Sequence, residues 1–133
     1  MSNGPLKLQK AIYAALTGDA TIMAKVTGVY DSVPQSQNFP FVVIGEADFD
    51  PFDSHSQDGF EGIVTIHTWA RGHGRAQVLD LQDDLYRIIH KNYFSLTGYR
   101  VIVNRFQFQQ TLVDPDGVTY HGITRFRIMM GET

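Results

Sequence analysis

The chain has 133 residues and a mass of 15.0 kDa, with 43% hydrophobic and 19% charged residues, a balance that suits one folded domain burying roughly two thirds of its unfolded surface. Eleven Lys and Arg against fourteen Asp and Glu leave a formal charge of −3, so no whole-molecule positive field exists to gather phosphate backbones. The lack of cysteine excludes a disulfide framework, a thiolate nucleophile and cysteine-held zinc.

The opening, Met1-Ser-Asn-Gly-Pro-Leu-Lys7, has neither the cationic start nor the apolar core of a secretory signal. No run approaches the roughly 18 apolar residues of a membrane span. The expectation is a protein made and used in the cytoplasm, or leaving it by lysis, with no membrane partner. Pro5 suits a first helical turn, and Leu8, Ile12, Ala15 and Leu16 follow at helical spacing before Gly18. Asp19 then caps a shorter helix from Ala20 to Val26, ended by Gly28.

Val29 to Val33 is predicted as a short strand closed by Pro34, and Gln35 to Asn38 as a polar turn. The apolar run Phe39-Pro-Phe-Val-Val-Ile-Gly45 predicts a buried central strand. From Glu46 to Glu61 six acids, Glu46, Asp48, Asp50, Asp53, Asp58 and Glu61, occur with no Lys or Arg. With Pro51 and Gly59 among them, this is predicted to be a long acidic loop or an extended hairpin tip.

Phe60 to Ala70 alternates as a strand, with Ile63, Thr65, His67 and Trp69 on one face and Val64, Ile66 and Thr68 on the other. After Gly72-His-Gly74, the stripe Val78, Leu81, Leu85, Ile88 predicts a helix from about Arg75 to Lys91, with Asp80, Asp83, Asp84 and Arg87 toward solvent or a partner. Leu96-Thr-Gly98 is a turn. Tyr99 to Val113 reads as a long strand with Ile102, Phe106, Phe108 and Leu112 on one side. Asp114-Pro-Asp-Gly117 is a turn, because Pro presets φ and Gly accepts the left-handed position. Val118 to Met130 returns as the partner strand. The sum is an α+β domain: a mainly antiparallel sheet of about four strands, a long helix packed across one face, and short helices at the N-terminus.

Catalytic signals are missing. None of the six serines (2, 32, 36, 54, 56 and 95) lies in a nucleophile elbow, and no acid shows a burial pattern that would tune it for proton transfer. The reading is not an enzyme, with no catalytic residue and no cofactor. His55, His67, His73, His90 and His121 lack paired metal spacing, which favours surface or half-buried histidines over a metal site. His67, alternating with Trp69, fits an interface less well than a core histidine bonded to backbone. Asp48-Phe-Asp-Pro-Phe-Asp53 has Phe52 and Asp53 where a calcium loop needs a ligand and a glycine. Trp69-Ala-Arg-Gly-His-Gly-Arg75 is neither a P-loop nor a dinucleotide fingerprint. It is a strand-to-helix connection whose Arg71, His73 and Arg75 are candidates for docking to a neighbouring subunit.

Seven signatures follow in order: Leu16-Thr-Gly-Asp-Ala20, Val29-Tyr-Asp-Ser-Val-Pro-Gln35, Phe39-Pro-Phe-Val-Val-Ile-Gly-Glu46, Ile66-His-Thr-Trp-Ala-Arg71, Leu96-Thr-Gly-Tyr-Arg100, Asp114-Pro-Asp-Gly117 and Tyr120-His-Gly-Ile-Thr-Arg-Phe-Arg127. Their succession, from about residue 11 to 128 with Phe49 to Gly59 unmatched, resembles the tail terminator or tail completion family of long-tailed bacteriophages, prophages and gene transfer agents. The resemblance implies one tail-terminator-like domain over residues 1–133 and a structural virion protein. It implies a hexameric ring on the head-proximal end of the tail tube that stops tube polymerisation and presents a surface for the head. The implied partners are further copies of the chain, the tail tube protein and the head–tail connector or stopper. DNA would pass through the lumen without specific binding. The six acids then suit a channel- or tube-facing loop, because negative walls repel phosphates. Competing expectations are a head–tail connector or stopper subunit, and a monomeric small-molecule or peptide-binding α+β module.

Overall fold

The computed structural model describes residues 4–33, 38–53 and 58–133. Helix α1 (Gly4–Thr17) forms because Leu8, Ile12 and Leu16 recur on one face, and all three are buried. Its end is closed by Gly18, whose N–H donates to the Ala14 carbonyl at 2.9 Å. Asp19 then caps α2 (Ala20–Met23), accepting from the Ile22 N–H at 3.0 Å.

Strand β1 (Val29–Tyr30) lies parallel to the start of β2 (Phe41–Asp53), which forms a hairpin with β3 (Asp58–Arg71). Helix α3 (Arg75–Ile89) follows, and then β4 (Ser95–Leu96), β5 (Tyr99–Val113) and β6 (Thr119–Glu132). The strands make one sheet in the order β1-β2-β3-β6-β5-β4, in which only the β1–β2 pairing is parallel. Register shifts between Ile44 and Ala47 in β2, and between Val101 and Val103 and between Phe106 and Phe108 in β5, bend the strands and curl the sheet into a half-barrel.

This corrects the sequence expectation of an α+β domain with about four mainly antiparallel strands and a long helix. The protein is mostly sheet, six-stranded and mixed, with a few short helices. The short strand expected from Val29 to Val33 forms as β1 over Val29–Tyr30, whereas β4 was missed because its two residues are too few to show an alternation. The predicted polar turn at Gln35 to Asn38 falls mainly outside the described residues.

The core fills the space between the helices and one face of the sheet. Val78, Leu81, Leu85 and Ile89 of α3 and Leu8, Ile12 and Leu16 of α1 meet Val42, Ile44, Val64, Ile66, Phe126, Ile128 and Met130. Burying each such side chain contributes about 1.5–3 kcal/mol. Close approach of α3 to the sheet requires Gly122 on β6: a Cβ there would collide with Thr68 Oγ1 and lie 2.6 Å from Val78 Cγ1. Gln82, buried in the same contact, donates from Nε2 to the Gln110 carbonyl at 3.1 Å. Asn104 closes the C-terminal end of α3 by donating from Nδ2 to the carbonyls of Ile89 and Asn92, both at 2.8 Å.

Asp84, expected toward solvent or a partner, is buried. It is held by Lys25 at 2.8 Å and Arg87 at 3.3 Å, while Arg87 also grips Asp19 with two bonds of 2.9 Å. This network ties α2 to α3. The Arg87 guanidinium lowers the Asp19 carboxyl to about 2, and the Asp19 carboxylate in turn raises Arg87. Among the described residues no helix is long and apolar enough to cross a membrane.

Candidate assembly surface

The helices cover one sheet face, so alternation directs the other residues to the opposite, open face. Asp48 and Asp50 arrive there from β2, Glu61, Thr65 and His67 from β3, His121, Arg125 and Arg127 from β6, and Arg105 and Phe108 from β5. Glu46, Asp48, Ile63, Thr65, Gln107, Phe108 and Arg125 line a shallow depression across all four long strands.

Of the two alternatives predicted for Glu46 to Glu61, a long loop or an extended hairpin, the hairpin is what forms, and most of the segment is strand. Asp48 and Asp50 lie on β2 and pair in register with Ile63 and Glu61, and Asp53 pairs with Asp58 beside the hairpin tip. Residues 54–57 and the Asp53 side chain lie outside the described set. Asp48, Asp50 and Asp58 are exposed, and Glu61 reaches Arg127 at 3.7 Å. The alternation Ala47-Asp48-Phe49-Asp50 already carries a strand signature, with Phe49 packed against the core. Pro51 obscured it, although β2 beyond β1 is an edge, where proline is tolerated.

Glu46 stands at the β2 bulge, where its Oε1 lies 2.6 Å from His67 Nε2, and His67 Nδ1 lies 2.7 Å from His121 Nε2. A carboxylate only accepts, so with neutral rings His67 donates from Nε2 to Glu46 and accepts at Nδ1 from His121. The bond from His67 holds the Glu46 carboxyl below its ordinary range. Burial, followed by the neighbouring His67, lowers His121. The indole of Trp69 stacks on His121 at 3.8 Å. His67 is therefore bonded to side chains from two neighbouring strands, not to backbone as the sequence suggested.

Arg71 ends β3, donating from Nε to Thr119 Oγ1 at 3.0 Å and covering the Phe39 ring at 4.3 Å, with Asp116 4.0 Å away. His73 and Arg75 are exposed between Gly72 and the first turn of α3. The three do not converge on one pocket.

Arg105 has no prominence in the sequence, and Arg125 and Arg127 stand out in it only as part of the signature Tyr120 to Arg127. Their signal is the charge contrast between two hairpins. From Phe41 to Ala70 there are six acids and no Lys or Arg, whereas β5 and β6 carry Arg100, Arg105, Arg125 and Arg127 against the single acid Glu132. Among the described residues no group of three or more His, Asp or Glu is placed to hold a metal ion.

The described residues thus form a two-faced sheet with a helix-covered core and a charged open face. The family model described as tail completion protein gp17 matches residues 10–131, and the chain belongs to that family, which is structural and not enzymatic. The tail completion protein gp17 of Bacillus phage SPP1 is 29% identical over 120 residues, covering 90% of this chain and 89% of that one. The solved structure of bacteriophage SPP1 gp17 superposes with a TM-score of 0.67 at 26% identity, covering 92% and 88% of the two chains. A chain in the virion of a native gene transfer agent particle shares the fold at a TM-score of 0.88 and 20% identity, over 98% and 99% of the two chains. The family inferred from the seven signatures is thus shown.

Proposed function

We propose that the chain closes the head-proximal end of a tail tube as a ring of six copies, stops tube polymerisation and presents the surface on which the head docks. The observation that carries this reading is the tail completion match across residues 10–131. It is supported by a fold shared over nearly the full length with a chain of a gene transfer agent virion. In this reading residues 1–133 act as one unit, assembled in the host cytoplasm and retained in the virion, with the tube protein and the head connector as its other partners.

The open face and the acidic hairpin then face the lumen or the tube through Glu46, Asp48, Asp50, Asp53, Asp58 and Glu61. Carboxylates along a DNA passage repel phosphates and keep the duplex from sticking. Arg71, His73 and Arg75, at the junction of β3 and α3, lie toward a neighbouring subunit. Arg71 is exposed, with Nε bonded to Thr119 and its ion pair to Asp116 long, so its outer nitrogens are placed to meet a neighbour.

The test is negative-stain imaging of tails from a producing strain lacking the gene, with and without complementation. Overlong tubes corrected by the wild-type chain are expected. Tails of normal length that fail to join heads would instead make it a connector or stopper subunit, and normal particles would end the virion reading.

A further inference from the structure

The two outer long strands of the sheet carry opposite charge, and neither resolves it internally. On β2, Asp50 sits directly opposite Glu61 of β3; on β5, Arg105 sits directly opposite Arg127 of β6. Like charges facing each other across a ladder destabilise the pair. At the seam between the hairpins the conflict is relieved, because Glu61 and Arg127 approach to 3.7 Å. Asp50 and Arg105 have no ion-pair partner among the described residues. They cannot meet within one chain, since β3 and β6 separate their strands by three spacings of about 4.8 Å.

We infer that the acidic β2 flank of one copy packs beside the Arg105 flank of the next copy, so that Asp50 and Arg105 form an ion pair between subunits. This rests on the ring reading above and names the surfaces that join its members. The occupant is a second copy because the complementary flank belongs to the same chain. The two flanks are different patches, so the contact is heterologous, and its repetition builds a closed ring when the rotation closes. Both flanks border the open face, so Asp58 stays free to face the lumen. The β5 edge near Arg105 is blocked against strand addition. Lys91 N–H donates to the Asn104 carbonyl at 2.9 Å, and Phe106 N–H to His90 Nδ1 at 2.9 Å. The contact is therefore made by side chains and not by extending the ladder.

The experiment uses the absence of native cysteine. Tails are assembled with the chain carrying both Asp50→Cys and Arg105→Cys, treated with a short bismaleimide whose spacer stands in for the reach of an Asp–Arg pair, and separated under denaturing conditions. A ladder of covalent multimers is expected, whereas either single variant gives none. A bridge within one chain would leave it a monomer, so only links between copies give the ladder. Monomers alone from tails that contain the chain would overturn the inference and leave the ring standing; tails that lack the wild-type chain would overturn both. As a second measurement, Asp50→Arg or Arg105→Asp alone is expected to lower incorporation into tails about tenfold or more, and the two together to restore it. Incorporation unchanged by the single reversals, or not restored by the pair, would also overturn it.

Discussion

The two faces of the sheet obey different rules. On the helix-covered face Ile66, Phe126, Ile128 and Met130 are wholly buried, and their identity follows from the need to exclude water. On the open face the same strands carry Glu61, His67, His121, Arg125 and Arg127, half-buried or exposed and linked by hydrogen bonds and ion pairs. One face holds the molecule together and the other is left for partners, so substitutions on them should separate loss of folding from loss of assembly.

The largest effect is expected on the covered face. Phe126→Ala removes a fully buried ring that packs edge-on against Phe106 at 6.1 Å. Urea denaturation of the purified variant should show a loss of about 3–5 kcal/mol, with assembly failing only because the subunit unfolds. A loss under 1 kcal/mol would mean that the core is elsewhere.

A smaller effect is expected where the open face is partly desolvated. Burial lowers His121 below its ordinary value of 6.5, so between 6.5 and the lower folded value the unfolded chain binds more protons. Stability from this group is therefore full above pH about 6.5 and falls as the pH drops through that window. Glu46, held low by His67, adds a loss only below about 4.5. Urea midpoints measured at neutral pH and near pH 5.5 should draw closer together in His121→Gln than in the wild type. An unchanged gap would show that His121 is not responsible.

The same contrast explains what the sequence disclosed. The covered face was legible because Leu8, Ile12 and Leu16, or Val64 and Ile66, repeat at fixed helical or strand spacing, and the helix expected from about Arg75 is found at Arg75–Ile89. Bulges broke the pattern in β5. The expected common side of Ile102, Phe106, Phe108 and Leu112 is split, because the shift between Phe106 and Phe108 leaves Phe106 on the core and sends Phe108 over to Arg125. A bulge adds one residue and inverts every later side chain, which periodicity cannot anticipate. The six acids were legible as a cluster. Their counterpart, Arg105 beside Arg127, was not, because it arises only when β5 and β6 are set in register.

The smallest folding effect, and the sharpest division between the faces, is expected at Asp50. Its carboxylate is exposed, faces Glu61 across the ladder and has no ion-pair partner among the described residues. Asp50→Asn removes a like-charge pair and should leave stability unchanged or raise it by about 0.2–1 kcal/mol. The same substitution removes the charge proposed to meet Arg105 of a neighbouring copy, so incorporation into tails should fall while the urea midpoint does not. A variant that lost stability and incorporation together would place Asp50 in the folding of the subunit, and the open face would then have no claim to a separate role at this position.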